Sequence, residues 1–300
     1  MKKLPQITTL FWVMKIAATT LGETGGDLLA QTLKIGYAIS SLLFIGLFLV
    51  SLVTQLKATK FHPALYWTVI VSTSTAGTTM SDFINRSAGL GYAKGALILI
   101  ICLASVFAIW YRSGQTFSVE QITTFRGELL YWVAILFSNT LGTSLGDYLA
   151  DNSGLGYAGG ALVISSVMAL LLAAHYFSGI SATLLFWMAF VLTRPLGATV
   201  GDFFSKPLAK GGLDLGTVGS SAALTAILLT LIGYTLVQQR KLAPQPIPAS
   251  AVGGCYCELR ADECSQCDGA GALGAAGRRR GRTDRVGQRQ KAQQASLTSS

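Results

Sequence analysis

The sequence predicts an all-α integral membrane protein, with eight transmembrane helices arranged as four parallel two-helix repeats. Three observations predict it. Apolar residues make up 51% of the 300 residues and charged residues only 12%, about half the charged share of a soluble domain. Eight apolar stretches approach the roughly 20 residues that a helix needs to cross a bilayer. The odd-numbered stretches also resemble one another, each headed by a tryptophan at Trp12, Trp67, Trp132 or Trp187. Such a composition excludes a water-soluble enzyme.

In order, the spans cover about 6–29, 37–56, 63–84, 92–111, 129–150, 157–177, 183–204 and 216–237. The first follows Met1–Lys3 and runs past Leu29 without a small-residue cleavage pattern, so it reads as a retained span and not a signal peptide. Most connections are short, such as Lys57–His62 and Arg86–Gly91; the exceptions are 112–128 and Lys206–Leu215. Paired in sequence, the spans make repeats of about 6–56, 63–111, 129–177 and 183–237 within a membrane domain of residues 1–239.

Self-similarity at a fixed spacing is the signature of a repeat architecture. Ten residues after each tryptophan stands a glycine (Gly22, Gly77, Gly142, Gly197), and fifteen after it an aspartate (Asp27, Asp82, Asp147, Asp202). A further glycine follows nine residues later (Gly36, Gly91, Gly156, Gly211), which places a turn between the two spans of each repeat. The Trp-to-Trp intervals of 55, 65 and 55 divide the chain into two similar halves. Because each repeat has an even number of spans, all four share one orientation and surround an axis along the membrane normal.

This pattern resembles an uncharacterised bacterial family of polytopic membrane proteins built from four tandem two-helix repeats, each with a tryptophan. The resemblance spans about residues 1–237 and implies architecture but no activity. Repeat 4 departs by carrying Pro195 where the others have threonine, and repeat 1 by carrying Lys15 and Glu23.

At 100° per residue, positions 8, 12 and 15 after each tryptophan share one side of a helix. The aspartates then join Thr24, Thr79, Ser144 and Thr199 in a hydroxyl and carboxylate stripe, with Glu23 four residues before Asp27. These are the candidate ion-binding residues, because a carboxylate in the bilayer costs roughly 2.5–3.5 kcal/mol unless it has a partner, a proton or water. Positions 10 and 14 give Gly22-xxx-Gly26, Gly77-xxx-Ser81, Gly142-xxx-Gly146 and Gly197-xxx-Gly201, the small-residue spacing that brings membrane helices close. Arg194 and Glu23 break the fourfold pattern and are expected to form an ion pair where repeats 4 and 1 meet. Lys15 lies within snorkelling reach of the interface, and the four tryptophans are expected at the headgroup level.

The only histidines, His62 and His175, lie at the membrane edge opposite the aspartates, so no nucleophile and base pair up and no enzymatic activity or cofactor is expected. Lys and Arg beside the loops number eight on the side of the termini (Lys2, Lys3, Lys57, Lys60, Arg112, Arg126, Arg240, Lys241) and five opposite (Lys34, Arg86, Lys94, Lys206, Lys210). That bias puts both termini in the cytoplasm of a bacterial inner membrane. The basic excess meets lipid headgroups and not nucleic acid. Residues 240–300 read as a disordered Pro-, Cys- and Arg-rich tail, in which Cys255, Cys257, Cys264 and Cys267 have half the spacing of a zinc site. The expected function is transport of a small cation by a transporter or channel, with a non-transporting scaffold as the alternative.

Overall fold

A computed structural model describes residues 4–242; the cysteine-rich segment and its metal reading lie outside the described residues. Eight α-helices and no strand are found among them: α1 (Thr9–Asp27), α2 (Tyr37–Lys57), α3 (Pro63–Asp82), α4 (Tyr92–Arg112), α5 (Phe125–Asp147), α6 (Gly156–Phe177), α7 (Ala182–Ser205) and α8 (Gly216–Leu242). Six of them are long and apolar enough to cross a membrane; α1 and α3 are not. The expected eight therefore becomes six by composition. The reason is visible in α1 and α3 themselves, where threonine, serine, glycine and, in α1, Lys15 and Glu23 replace the leucines of the outer helices.

Local sequence sets the helix ends. The Thr8 side chain accepts from the Phe11 amide, Thr124 accepts from Gly127, and Pro63 occupies a first-turn position that needs no amide hydrogen. After Asp27, Asp82 and Asp147 the chain widens into five residues of π-helix, a local form frequent at functional sites. Then comes the repeated glycine. Gly36 and Gly91 hold φ/ψ of 84°/160° and 76°/152° as N-caps of α2 and α4, a region that is essentially glycine's own. Gly91→Ala is expected to cost about 1–3 kcal/mol through backbone strain alone, since no atom lies within 4 Å of the added carbon. Thermal unfolding in detergent checks this, and an unchanged midpoint refutes it.

The odd helices close into a ring, α1 on α3, α3 on α5, α5 on α7 and α7 on α1. Each even helix then packs chiefly against the odd helix of the following repeat: α2 on α3, α4 on α5, α6 on α7, and α8 back on α1. Every repeat thus embraces the next, and repeats 4 and 1 meet. The outer helices turn Leu42, Leu47, Val50, Ile101, Leu170 and Leu229 outward, an apolar surface suited to lipid.

Glycine makes the ring close-packed. A Cβ on Gly22 would meet Ser74, one on Gly77 would meet Asn139, one on Gly142 would meet Arg194, and one on Gly197 would meet Thr19. Gly26, Gly146 and Gly201 repeat the relation one turn on, against Thr78, Ala198 and Glu23. In all seven contacts, position 10 or 14 of one repeat touches position 7 or 11 of the next. Equal register between neighbours requires that the inner helices run parallel.

Candidate functional site

Position 7 faces the ring centre, so the row of every fourth residue through it defines the axis. The row begins with Phe11, Tyr66, Tyr131 and Phe186. Lys15, Ile70, Ile135 and Phe190 follow, then Thr19, Ser74, Asn139 and Arg194, then Glu23, Thr78, Thr143 and Ala198, and finally the four aspartates. All twenty are buried. Successive layers lie about 6 Å apart by helix rise.

At the first layer each repeat contributes two adjacent aromatic rings set edge-on, Phe11–Trp12, Tyr66–Trp67, Tyr131–Trp132 and Phe186–Trp187, with centroids 5.1–5.6 Å apart. The Tyr66 and Tyr131 hydroxyls share a hydrogen bond of 2.7 Å. From the central connection, Phe117 stacks on Trp110 at 5.0 Å and its carbonyl accepts from Trp187 Nε1 at 3.1 Å. Trp67, Trp132 and Trp187 are therefore packed into protein and not turned outward, and Trp12 is half-buried. The correction is one of direction: an indole can mark one end of a helix while pointing at the neighbouring helix.

Lys15 is corrected likewise. It does not reach out to an interface but lies fully buried, with Nζ 4.0 Å from the centre of the Phe190 ring and no hydrogen-bond acceptor. Its place in the axial row, four residues before Thr19, directs it inward.

Arg194 ties the four inner helices together. Its Nη1 lies 3.1 Å from Glu23 Oε2 and donates to the Thr19 carbonyl at 3.3 Å. Its Nη2 donates to the Ser74 carbonyl at 3.2 Å, to Thr143 Oγ1 at 2.8 Å and to Thr78 Oγ1. Both hydroxyls in turn lie 3.3 Å from Glu23 Oε2 as donors. One guanidinium from α7 thus contacts α1, α3 and α5 at once, as its planar fork of donors allows.

At the far end the four aspartates form two clamped pairs. Lys206 Nζ sits 2.5 Å from Asp27 Oδ2 and 3.3 Å from Asp202 Oδ1. Arg86 places Nε 3.0 Å from Asp82 Oδ1 and Nη2 3.7 Å from Asp147 Oδ2. Each cation is four residues beyond its own repeat's aspartate and reaches the aspartate of the next repeat. Gln31 donates to Asp27 Oδ1 at 2.5 Å from the equivalent place in repeat 1. Burial works against the charge on Lys206, but Asp202 and Asp27 outweigh it and hold its pKa above the ordinary lysine value. Asp82 and Asp147 do the same for Arg86.

One carboxylate oxygen each from Glu23, Asp147 and Asp202 lies within 4.8 Å of the other two. These come from α1, α5 and α7. Of the predicted ion-binding residues, the structure brings together the four aspartates and Glu23, but not the hydroxyls. Thr79 and Thr199 bond back to carbonyls of their own helices. Thr24 bonds back to Leu21 and accepts from Ser221 of α8, while Ser144 meets Ser81 and Asn85. The axial hydroxyls are Thr78 and Thr143, one position earlier. Continuing the aspartate row backward in steps of four would have found them. Arg86 and Lys206, counted as loop charges for topology, would have been found at i+4 from Asp82 and Asp202.

A family model described as a Repeat of Unknown Function (DUF347) matches residues 10–61, 65–116, 130–181 and 185–241. No curated protein and no solved structure matches the chain.

Proposed function

Since the chain belongs to the family of the Repeat of Unknown Function (DUF347), its activity has to be read from its own axis, and we propose that it is a transporter or channel for a small cation. The observation that carries this reading is the gathering of five carboxylates from all four inner helices at one end of a closed ring, every one of them buried. Buried acids of this number in a membrane protein are functional by default, because their cost must be met by cations or protons. In this reading all eight helices span a bacterial inner membrane, α1 and α3 shielded from lipid by the outer helices, with both termini cytoplasmic and the aspartates opening outward.

The site suggests how the ion is handled. A cation drawn in by the aspartates meets Glu23, whose partner Arg194 stands next along the axis and repels it. Passage then requires Glu23 to exchange Arg194 for the incoming ion, which couples ion entry to the contact between α1 and α7. The axis beyond, from Arg194 to the tyrosine pair, is lined by buried side chains.

A specific observation favours the scaffold as a second reading. Arg194, Arg86 and Lys206 already engage all five acids, as purely structural pairs would. The two readings part in proteoliposomes holding the purified full chain, tested over a panel of monovalent and divalent cations with and without a pH gradient. Changing Asp27, Asp82, Asp147 and Asp202 together to asparagine is expected to lower flux at least tenfold while the protein stays monodisperse. Absence of any cation flux from the folded wild-type protein would overturn transport in favour of the scaffold.

A further inference from the structure

We propose that Glu23, Asp147 and Asp202 form a binding site for one hard divalent cation, of the Mg²⁺, Ca²⁺ and Mn²⁺ class, an inference that rests on the cation reading above and names its ion. The three carboxylates reach the site from three different helices, and their oxygens lie within 4.8 Å of one another, no farther apart than opposite ligands at about 2.4 Å per bond. An all-oxygen, carboxylate-rich donor set suits hard cations over soft ones.

Two of these three carboxylates also leave a buried oxygen without a donor. Asp147 and Asp202 are buried, yet Asp147 Oδ2 and Asp202 Oδ1 accept no hydrogen bond. Their nearest side-chain cations stand at 3.7 and 3.3 Å. Asp82 Oδ1 also accepts none but has Arg86 Nε at 3.0 Å, and Asp27 is engaged at 2.5 Å on both oxygens, by Lys206 and Gln31. A buried oxygen without a donor is costly, and a bound cation removes that cost.

Charge selects the valence. Five carboxylates face three cationic side chains in this network, Arg86, Arg194 and Lys206, so two negative charges remain whenever every acid is ionised. One divalent ion balances them. Lys206 holds the edge of the site as a tethered cation, so it competes with the ion it borders.

The test is binding of Mn²⁺ alone to the full chain in detergent, followed by loss of the free-ion paramagnetic resonance signal, with Ca²⁺ and Mg²⁺ as competitors. The wild-type protein is expected to bind one Mn²⁺, Asp147→Asn and Asp202→Asn to weaken binding more than tenfold, and the exposed Asp151→Asn to leave it unchanged. Lys206→Met is expected to tighten it, an effect opposite in sign to that of a structural ion pair. If the asparagine variants do not fold, the rise of the thermal midpoint with Mn²⁺ decides: present in wild type and smaller in Asp202→Glu supports the site, equal in both overturns it. Wild-type binding unaffected by Asp147→Asn and Asp202→Asn would overturn this site while the cation reading stands. Monovalent or proton flux without Mn²⁺ binding would overturn the divalent inference alone, and neither flux nor binding would overturn both.

Discussion

Arg194→Met is expected to leave no stably folded protein in detergent. Its guanidinium is fully buried and bonds to α1, α3 and α5. Removing it strands Glu23, itself buried, without its only ion-pair partner among the described residues, which stands at 3.1 Å. Breaking a buried pair by deleting one member costs about 3–5 kcal/mol, a large part of the roughly 5–15 kcal/mol by which a folded protein is stable. Arg194→Lys keeps the charge but not the fork, so it should restore only part of the loss. Adding Glu23→Gln to Arg194→Met should recover more, because the orphaned charge is then gone. Circular-dichroism melting with gel filtration reads all three, and a wild-type melting midpoint for Arg194→Met would refute the keystone role.

Gly197→Val is expected to open the ring at the seam between repeats 4 and 1. A Cβ at this position would stand 2.5 Å from Thr19 Oγ1 and 2.8 Å from the Thr19 backbone carbon. The backbone cannot swing aside as a long side chain could, so the cost lies at or above the upper end of the roughly 1–3 kcal/mol typical of overpacking. Gly142→Val acts by another route, since its Cβ would overlap Arg194 Cγ, stand 2.9 Å from Pro195 Cδ and displace the guanidinium. Gly46→Val provides the contrast. It lies mid-way along outer helix α2 with no atom within 4 Å of its added carbon, and should be neutral or slightly stabilising because glycine is a poor helix former. Equal melting midpoints for Gly46→Val and Gly197→Val would show that the inner ring is not close-packed.

The two substitutions also show how unevenly the sequence reveals its structure. Gly197 is legible: four glycines at one offset, with a small residue four places on, point to helices in contact before any coordinates exist. Arg194 is half legible. Its departure from the fourfold pattern, shared with Glu23, suggests a pairing across the closing seam, and the two side chains lie 3.1 Å apart. That it also binds α3 and α5 follows only from its position on the axis, and Thr78 and Thr143 have no distinguishing mark until that axis is drawn.

The aspartates divide in the same way. Their common offset and their shared depth are properties of one helix and its repeat, set by a 1.5 Å rise and a 100° turn. Their partners are not. Lys206 reaches Asp27 across 179 positions of sequence because α7 closes on α1, a neighbourhood created by ring closure and not by chain order.

By itself, then, the sequence determined the helices, their four repeats, their parallel sense and the faces along which glycine lets them approach. Each of these follows from local periodicity and side-chain size. Only the tertiary structure decided which face meets the axis, that the tryptophans and Lys15 turn into protein, that each outer helix covers the next repeat, and which cation serves which aspartate. Those choices belong to contacts between helices far apart in sequence. A helical pattern names the residues that share a side, but burial and charge pairing across the closed ring settle which side faces the axis.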